Sequence, residues 1–203
     1  MSSKKILALL LAAAFILLTL TGCGNGGGSE TPSKTESPNS GEKPQGNTGM
    51  WMLVNTETTK QGETDYVTFS GENGSYEIIS KTDNQGSGTA TATITEPPSE
   101  IKVGDKISFQ ISGSYTGDFP FNWECSAYLG FTKNYFTIEN WEPGYEESYR
   151  VKFGTGGDLK SENSETVKLT AEMAGNAGST VEIKIGLSGS GGISTKYTYE
   201  WRQ

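Results

Sequence analysis

From residue 50 onward, apolar side chains recur at every second position in short runs separated by turn residues. Ile107, Phe109 and Ile111 alternate with Ser108 and Gln110. Phe119, Phe121, Trp123, Cys125, Ala127 and Leu129 fall on one side of a longer run, with Asn122, Glu124 and Ser126 on the other. The same spacing selects Tyr149, Val151 and Phe153, then Val167, Leu169, Ala171 and Met173. It next selects Val181, Ile183, Ile185 and Leu187, and finally Ile193, Tyr197, Tyr199 and Trp201. Successive side chains of a strand point to opposite faces, so a period of two predicts strands that each bury one face. No segment combines helical periodicity with caps.

Turn chemistry falls between these runs. Asn73-Gly74 lies between the segments 65–70 and 75–80 and is a strong hairpin signal, because both residue types tolerate positive φ. Gly117-Asp118, Pro143-Gly144, Gly175-Asn176 and Gly191-Gly192 mark further reversals. Pro97-Pro98 cannot donate ladder hydrogen bonds, so the strand through Ala90, Ala92 and Ile94 must end before it. About ten or eleven short antiparallel strands with one apolar face each have to stack as two sheets or close into a barrel. The region from Met50 to Gln203 exceeds the roughly 100 residues of an immunoglobulin-type domain. The expected fold is therefore all-β, an antiparallel two-sheet β-sandwich of jelly-roll-like kind. An elaborated immunoglobulin-like sandwich and an up-and-down barrel are the alternatives.

The N-terminus has a different texture. Lys4 and Lys5 precede an apolar stretch from Ile6 to Leu20, and small residues Thr21 and Gly22 stand before Cys23. The apolar stretch is shorter than the roughly 20 residues that cross a bilayer. The stretch Leu20-Thr21-Gly22-Cys23 resembles the lipobox of bacterial lipoproteins. That resemblance implies removal of residues 1–22 and lipidation of Cys23, which would hold the remainder outside the cytoplasm, anchored to a bacterial membrane. Two or three acyl chains would make such attachment durable, at about 0.8 kcal/mol per buried methylene. An ordinary secretory signal and an uncleaved anchor are the competing readings, and the lipobox pattern fits the residues better than either.

Residues 24–49 hold no apolar side chain and consist of Gly, Ser, Thr, Pro, Asn, Gln, Glu and Lys. Such a segment cannot bury enough surface to offset its ordering entropy and is expected to be a disordered tether. As a flexible coil it would span roughly 25 to 31 Å. The expected organisation is thus signal peptide 1–22, lipidated N-terminus and tether 23–49, and sandwich domain 50–203.

Charge and composition narrow the chemistry. The chain has 16 basic and 24 acidic residues, a formal charge of −8; without Lys4 and Lys5 the balance is 14 to 24, or −10. Nucleic acid is not expected as a partner, since phosphate binding needs clustered Lys and Arg. There is no His, which removes the commonest general base and Ser-His-Asp or Cys-His catalysis with it. No calcium loop, Cys or His metal cluster, Walker loop or Gly-x-Ser-x-Gly elbow is present. Accordingly no cofactor, metal or catalytic set is assigned, and an enzyme is not expected. Cys125, in phase with Phe121, Trp123, Ala127 and Leu129, is expected to be a buried, inert thiol.

The segment from Glu139 to Glu147 places Trp141 and Tyr145 among carboxylates. Two aromatics there could offer flat surfaces to sugar rings, with Asn140 and Glu142 hydrogen-bonding hydroxyls, as ligand recognition requires. The competing reading has Trp141 folded back as a lid over one end of the sandwich. Glu139, Glu142, Glu146 and Glu147 could serve glycoside hydrolysis only if two of them faced each other across a cleft, and solvated loop charge is the plainer reading. The run from Pro97 through Val103-Gly104-Asp105 to Phe109 resembles the strand entry of extracellular jelly-roll and immunoglobulin-like modules, carbohydrate-binding ones included. No ligand residue follows from that likeness. The expected function is a membrane-anchored, non-catalytic surface lipoprotein that binds an envelope or extracellular glycan, acting as a monomer. The alternative is a protein-interaction or envelope-assembly module.

Overall fold

The computed structural model describes residues 49–82, 86–118, 123–142 and 148–203. The signal peptide, Cys23, the tether up to residue 48 and Tyr145 lie outside the described residues. In chain order the strands are β1 (Met50–Gln61), β2 (Val67–Glu72), β3 (Ser75–Thr82), β4 (Gly86–Ile94), β5 (Glu100–Ile101), β6 (Lys106–Gly117), β7 (Trp123–Phe131), β8 (Phe136–Ile138), β9 (Ser148–Thr155), β10 (Glu162–Ala171), β11 (Thr180–Ser188) and β12 (Gly192–Arg202). No helix occurs among the described residues, and so none is long and apolar enough to cross a membrane.

Two antiparallel sheets of six strands face each other, as the alternation predicts. Sheet A has the order β5-β1-β12-β11-β7-β9 and sheet B the order β2-β3-β4-β6-β10-β8. Across the sandwich β12 meets β2 and β3, β11 meets β3 and β4, β7 meets β4 and β6, and β9 meets β6 and β10. From β4 to β11 every connection changes sheet.

Local chemistry explains the ends of the strands. Asn73 (φ 48°) and Gly74 (φ 80°) form the two-residue turn that joins β2 to β3, both left-handed as that hairpin requires. β4 stops at Ile94, short of Pro97-Pro98. Asp105 closes the turn into β6: its carboxylate accepts from the Lys102 amide at 2.8 Å, and its own amide donates to the Lys102 carbonyl.

The apolar faces form one core. Phe109, Ile111, Leu129, Val151, Phe153, Leu169, Ile183, Ile185 and Leu187 are fully buried, each worth about 1.5–3 kcal/mol relative to exposure for side chains of this kind. Trp51 and Trp201 pack edge-on with ring centroids 5.0 Å apart, and Trp51 donates through Nε1 to the Met173 carbonyl. Gly113, on the inner face of β6, makes room for an aromatic ring of the opposite sheet: a Cβ there would lie 2.0 Å from Phe153 Cε1. Cys125 is completely buried, as its phase predicts, and burial together with the neighbouring Glu124 charge pushes its thiol up to about 12.

Met173 departs from the pattern. Alternation puts it in the core after Ala171, yet it is 49% exposed. β10 ends at Ala171, after which the Glu172 amide donates to the Tyr135 carbonyl. Once the chain leaves the ladder, parity no longer decides which way a side chain points. Residues 119–122, expected to extend β7, lie outside the described residues.

Candidate functional site

The outer face of sheet A carries an open trough of about 960 Å³. Strand register builds it from residues far apart in sequence. Tyr128 on β7 is directly opposite Arg150 on β9 and Gly186 on β11. In the next row along the strands, Gly130 lies between Ser148 and Lys184; in the row on the other side, Ser126 lies between Lys152 and Ser188. Gly and Ser at five of these positions keep the floor low, and the long side chains of Arg150, Lys152 and Lys184 rise around it.

Tyr128 forms part of that floor. A Cβ on Gly186 would lie 2.9 Å from Tyr128 Cζ and 2.7 Å from Ser194 Cβ, so the phenol ring lies across a position that only glycine leaves free. The Arg150 guanidinium carbon sits 5.4 Å from the ring centroid, and its Nη1 donates to Ser188 Oγ at 3.1 Å. A cation–π contact at an exposed site contributes about 0.5–1 kcal/mol, enough to bias the orientation of both side chains. The ring is half-buried, while Arg150, Lys152 and Lys184 are exposed. A sugar ring can pack against this pair of Arg150 and Tyr128 with its hydroxyls directed to the surrounding hydrogen-bonding groups.

The residues singled out from sequence lie at a different place. Trp141 follows β8 through a tight turn in which Asn140 has φ 61° and the Trp141 amide donates to the Ile138 carbonyl at 3.2 Å. Its ring is half-buried and packs edge-on against Phe131 (6.0 Å) and Tyr149 (5.8 Å), beside the core. Trp141 thus sits where β9, the edge of sheet A, approaches β8, the edge of sheet B. Tyr149 ties the same seam by donating its hydroxyl to the Glu165 carboxylate. Burial first, then that carboxylate's hydrogen bond and charge, push the Tyr149 phenol up to about 12. Asn140 and Trp141 border a depression of about 500 Å³ that Ile138, Tyr149 and Thr166 also line. Glu142 is exposed and does not line it, and Tyr145 is outside the described residues.

The trough residues escaped sequence reading because outward Ser, Gly, Lys and Arg on a strand look like an ordinary solvated face. One signal was present: Tyr128 is a large aromatic on the polar parity of a run whose other aromatics are on the apolar parity. Among the described residues no three His, Cys, Asp or Glu gather as a metal site. No family model, curated protein or solved structure matches the chain. The functional reading therefore rests on the chemistry of the trough and of the N-terminal segment.

Proposed function

We propose that this chain is a lipid-anchored, extracytoplasmic protein whose sandwich binds a glycan without cleaving it, in the trough on the outer face of sheet A. The observation that carries the proposal is the Tyr128 ring packed against Gly186, with Arg150 over it, beside the small residues Ser126, Gly130 and Ser148 of the trough. A sheet face of this kind presents a platform on rigid strands, where geometry is held more firmly than on loops. The Leu20-Thr21-Gly22-Cys23 segment supports the anchored location, and the polar tether would carry the trough clear of the lipid headgroups.

Calorimetric titration of a glycan panel against the full-length protein and two variants tests the site. Tyr128→Ala should weaken binding about fivefold or more, about 1 kcal/mol, while Trp141→Ala should retain it. Loss in Trp141→Ala with retention in Tyr128→Ala would move the site to the seam beside β8. Absence of binding across the panel would defeat the glycan reading. For the anchor, Cys23→Ala should leave an unprocessed or shed protein in membrane fractionation; unchanged processing and retention would count against lipidation.

One observation favours the second reading, a protein-interaction module. β1 pairs with β5 only at Trp51 and Met52, so from Val54 to Gln61 its other edge meets no strand among the described residues. An open edge is a template for an added strand. Pull-down from envelope extracts before and after glycan digestion separates the two readings, since a partner that survives digestion is a protein held directly.

A further inference from the structure

We infer that the glycan held in the trough is an anionic one, its charge carried by carboxylate or phosphate groups on both sides of the sugar ring. This rests on the glycan reading of the same trough and names the class of ligand. Among the described residues the trough lining contains Lys133, Arg150, Lys152 and Lys184 against Glu124 and Glu182, a formal charge of +2 within a chain of −8. Both carboxylates are already engaged: Glu124 pairs with Lys152 at 3.0 Å, and Glu182 with Lys196 at 3.6 Å. Lys133 and Lys184 are exposed and make no ion pair among the described residues.

The register adds an independent reason. Lys184 is directly opposite Lys196 across β11 and β12. Like charges at opposed positions destabilise a sheet, and an acid at position 184 would relieve the repulsion. Glu57 and Glu182 neutralise Lys196 from the side, at 3.5 and 3.6 Å, but no carboxylate among the described residues pairs with Lys184. Stability therefore does not account for a cation at 184, whereas an anionic ligand does.

The placement suits a ribbon-shaped ligand. Arg150 and Lys184 are on strands two spacings apart, about 10 Å, with Tyr128 and Gly130 of β7 between them. A sugar ring packed against the pair of Arg150 and Tyr128 would meet Arg150 on one side and Lys184 on the other. The predominantly acidic surface elsewhere repels anions, so the trough concentrates them and steers their approach. The aromatic floor is what distinguishes a charged sugar chain from a chain of bare charge.

The test uses the full-length protein with an oligogalacturonate, its fully methyl-esterified form, a hexose-phosphate polymer and poly-glutamate, each titrated at low and high salt. The free uronate should bind about tenfold or more tightly than its ester at low salt, with the difference shrinking as salt screens the contacts. Lys133→Gln with Lys184→Gln should together weaken the uronate about tenfold and leave the ester unaffected, each exposed pair accounting for about two- to fivefold. Stronger binding of the phosphate polymer, with the same dependence on Lys133 and Lys184, would uphold the inference and identify phosphate as the source of charge. Equal affinity for uronate and ester would overturn it while leaving the glycan reading intact. Equal affinity for poly-glutamate and the uronate would overturn the sugar component. Failure of all sugar probes, neutral panel included, would defeat both.

Discussion

Cys125 gives a quantitative test of the sandwich, because two effects protect its thiol and they differ greatly in size. Its folded-state pKa of about 12, against an ordinary 9.0, cuts the thiolate fraction at pH 8 roughly a thousandfold. A more basic thiolate is also a better nucleophile, and a Brønsted coefficient of about 0.4–0.5 returns some 20- to 30-fold of that loss. Ionisation alone would then slow labelling only about 30- to 50-fold. Burial protects more strongly: Cys125 is 0% exposed, flanked by Phe153 on β9, with Gly189 so near that a Cβ there would lie 3.1 Å from the sulfur. A disulfide reagent cannot reach it without an opening. For a domain stable by as little as about 5 kcal/mol, fewer than one molecule in a thousand is open at a time, so labelling slows by more than about a thousandfold. The assay is labelling of the Cys23→Ser chain by a chromogenic disulfide reagent at pH 8, in buffer and in denaturant. A ratio below ten would refute the burial of β7 and with it the packing of sheet A on sheet B.

Gly113→Ala should destabilise the domain by about 1–3 kcal/mol through overpacking against Phe153, lowering Tm by roughly 2 to 12 °C for a domain of this size. Thermal melts would show it, and Phe153→Leu in the same chain should return part of the loss; an unchanged Tm in the single variant would contradict the close approach of β6 and β9. Alkaline pH should also unfold the protein. Tyr149 is raised from 10.0 to about 12, and burial raises Tyr76, Tyr197 and Tyr199 as well. These phenols are neutral in the fold, so their contribution is fully present below pH 10 and is lost as pH climbs towards 12 and beyond. The urea midpoint should stay level from pH 7 to about pH 9.5 and fall above pH 10, with phenolate absorbance rising alongside. A midpoint that holds to pH 12 would show that these rings ionise freely in the folded state.

Much of the fold was legible along the chain because its causes are local. Burial of one face forces period-two spacing, so β6, β7, β9, β11 and β12 could be read with the correct residues inward. Asn73-Gly74 set a hairpin by its own backbone preferences, and Pro97-Pro98 ended a strand by lacking donors. Cys125 could be placed in the core by phase alone. The short strands β5 and β8 were beyond such reading: two or three residues make no period, and their pairing partners, Trp51 and Met52 for β5 and Leu169 to Ala171 for β8, supply the ladder. Met173 shows the limit from the other side, since its parity counted only while the backbone stayed in the sheet.

The proposed functional surface divides along the same line. The proposed export segment depends on residues contiguous in sequence, so its charge, apolar run and Cys23 can be read in order. The trough depends on neighbours set by strand register: Tyr128, Arg150 and Gly186 are a row in space and are 22 and 36 residues apart on either side of Arg150 in the chain. Outward positions are under no burial constraint, so apart from Tyr128 on the polar parity nothing in the alternation distinguishes the proposed site from an ordinary wet face. Only the pairing of β9 with β7 and of β7 with β11 decided that a bare glycine would lie beneath the one outward aromatic of β7, with Arg150 over its ring and Lys184, unpaired among the described residues, one row away.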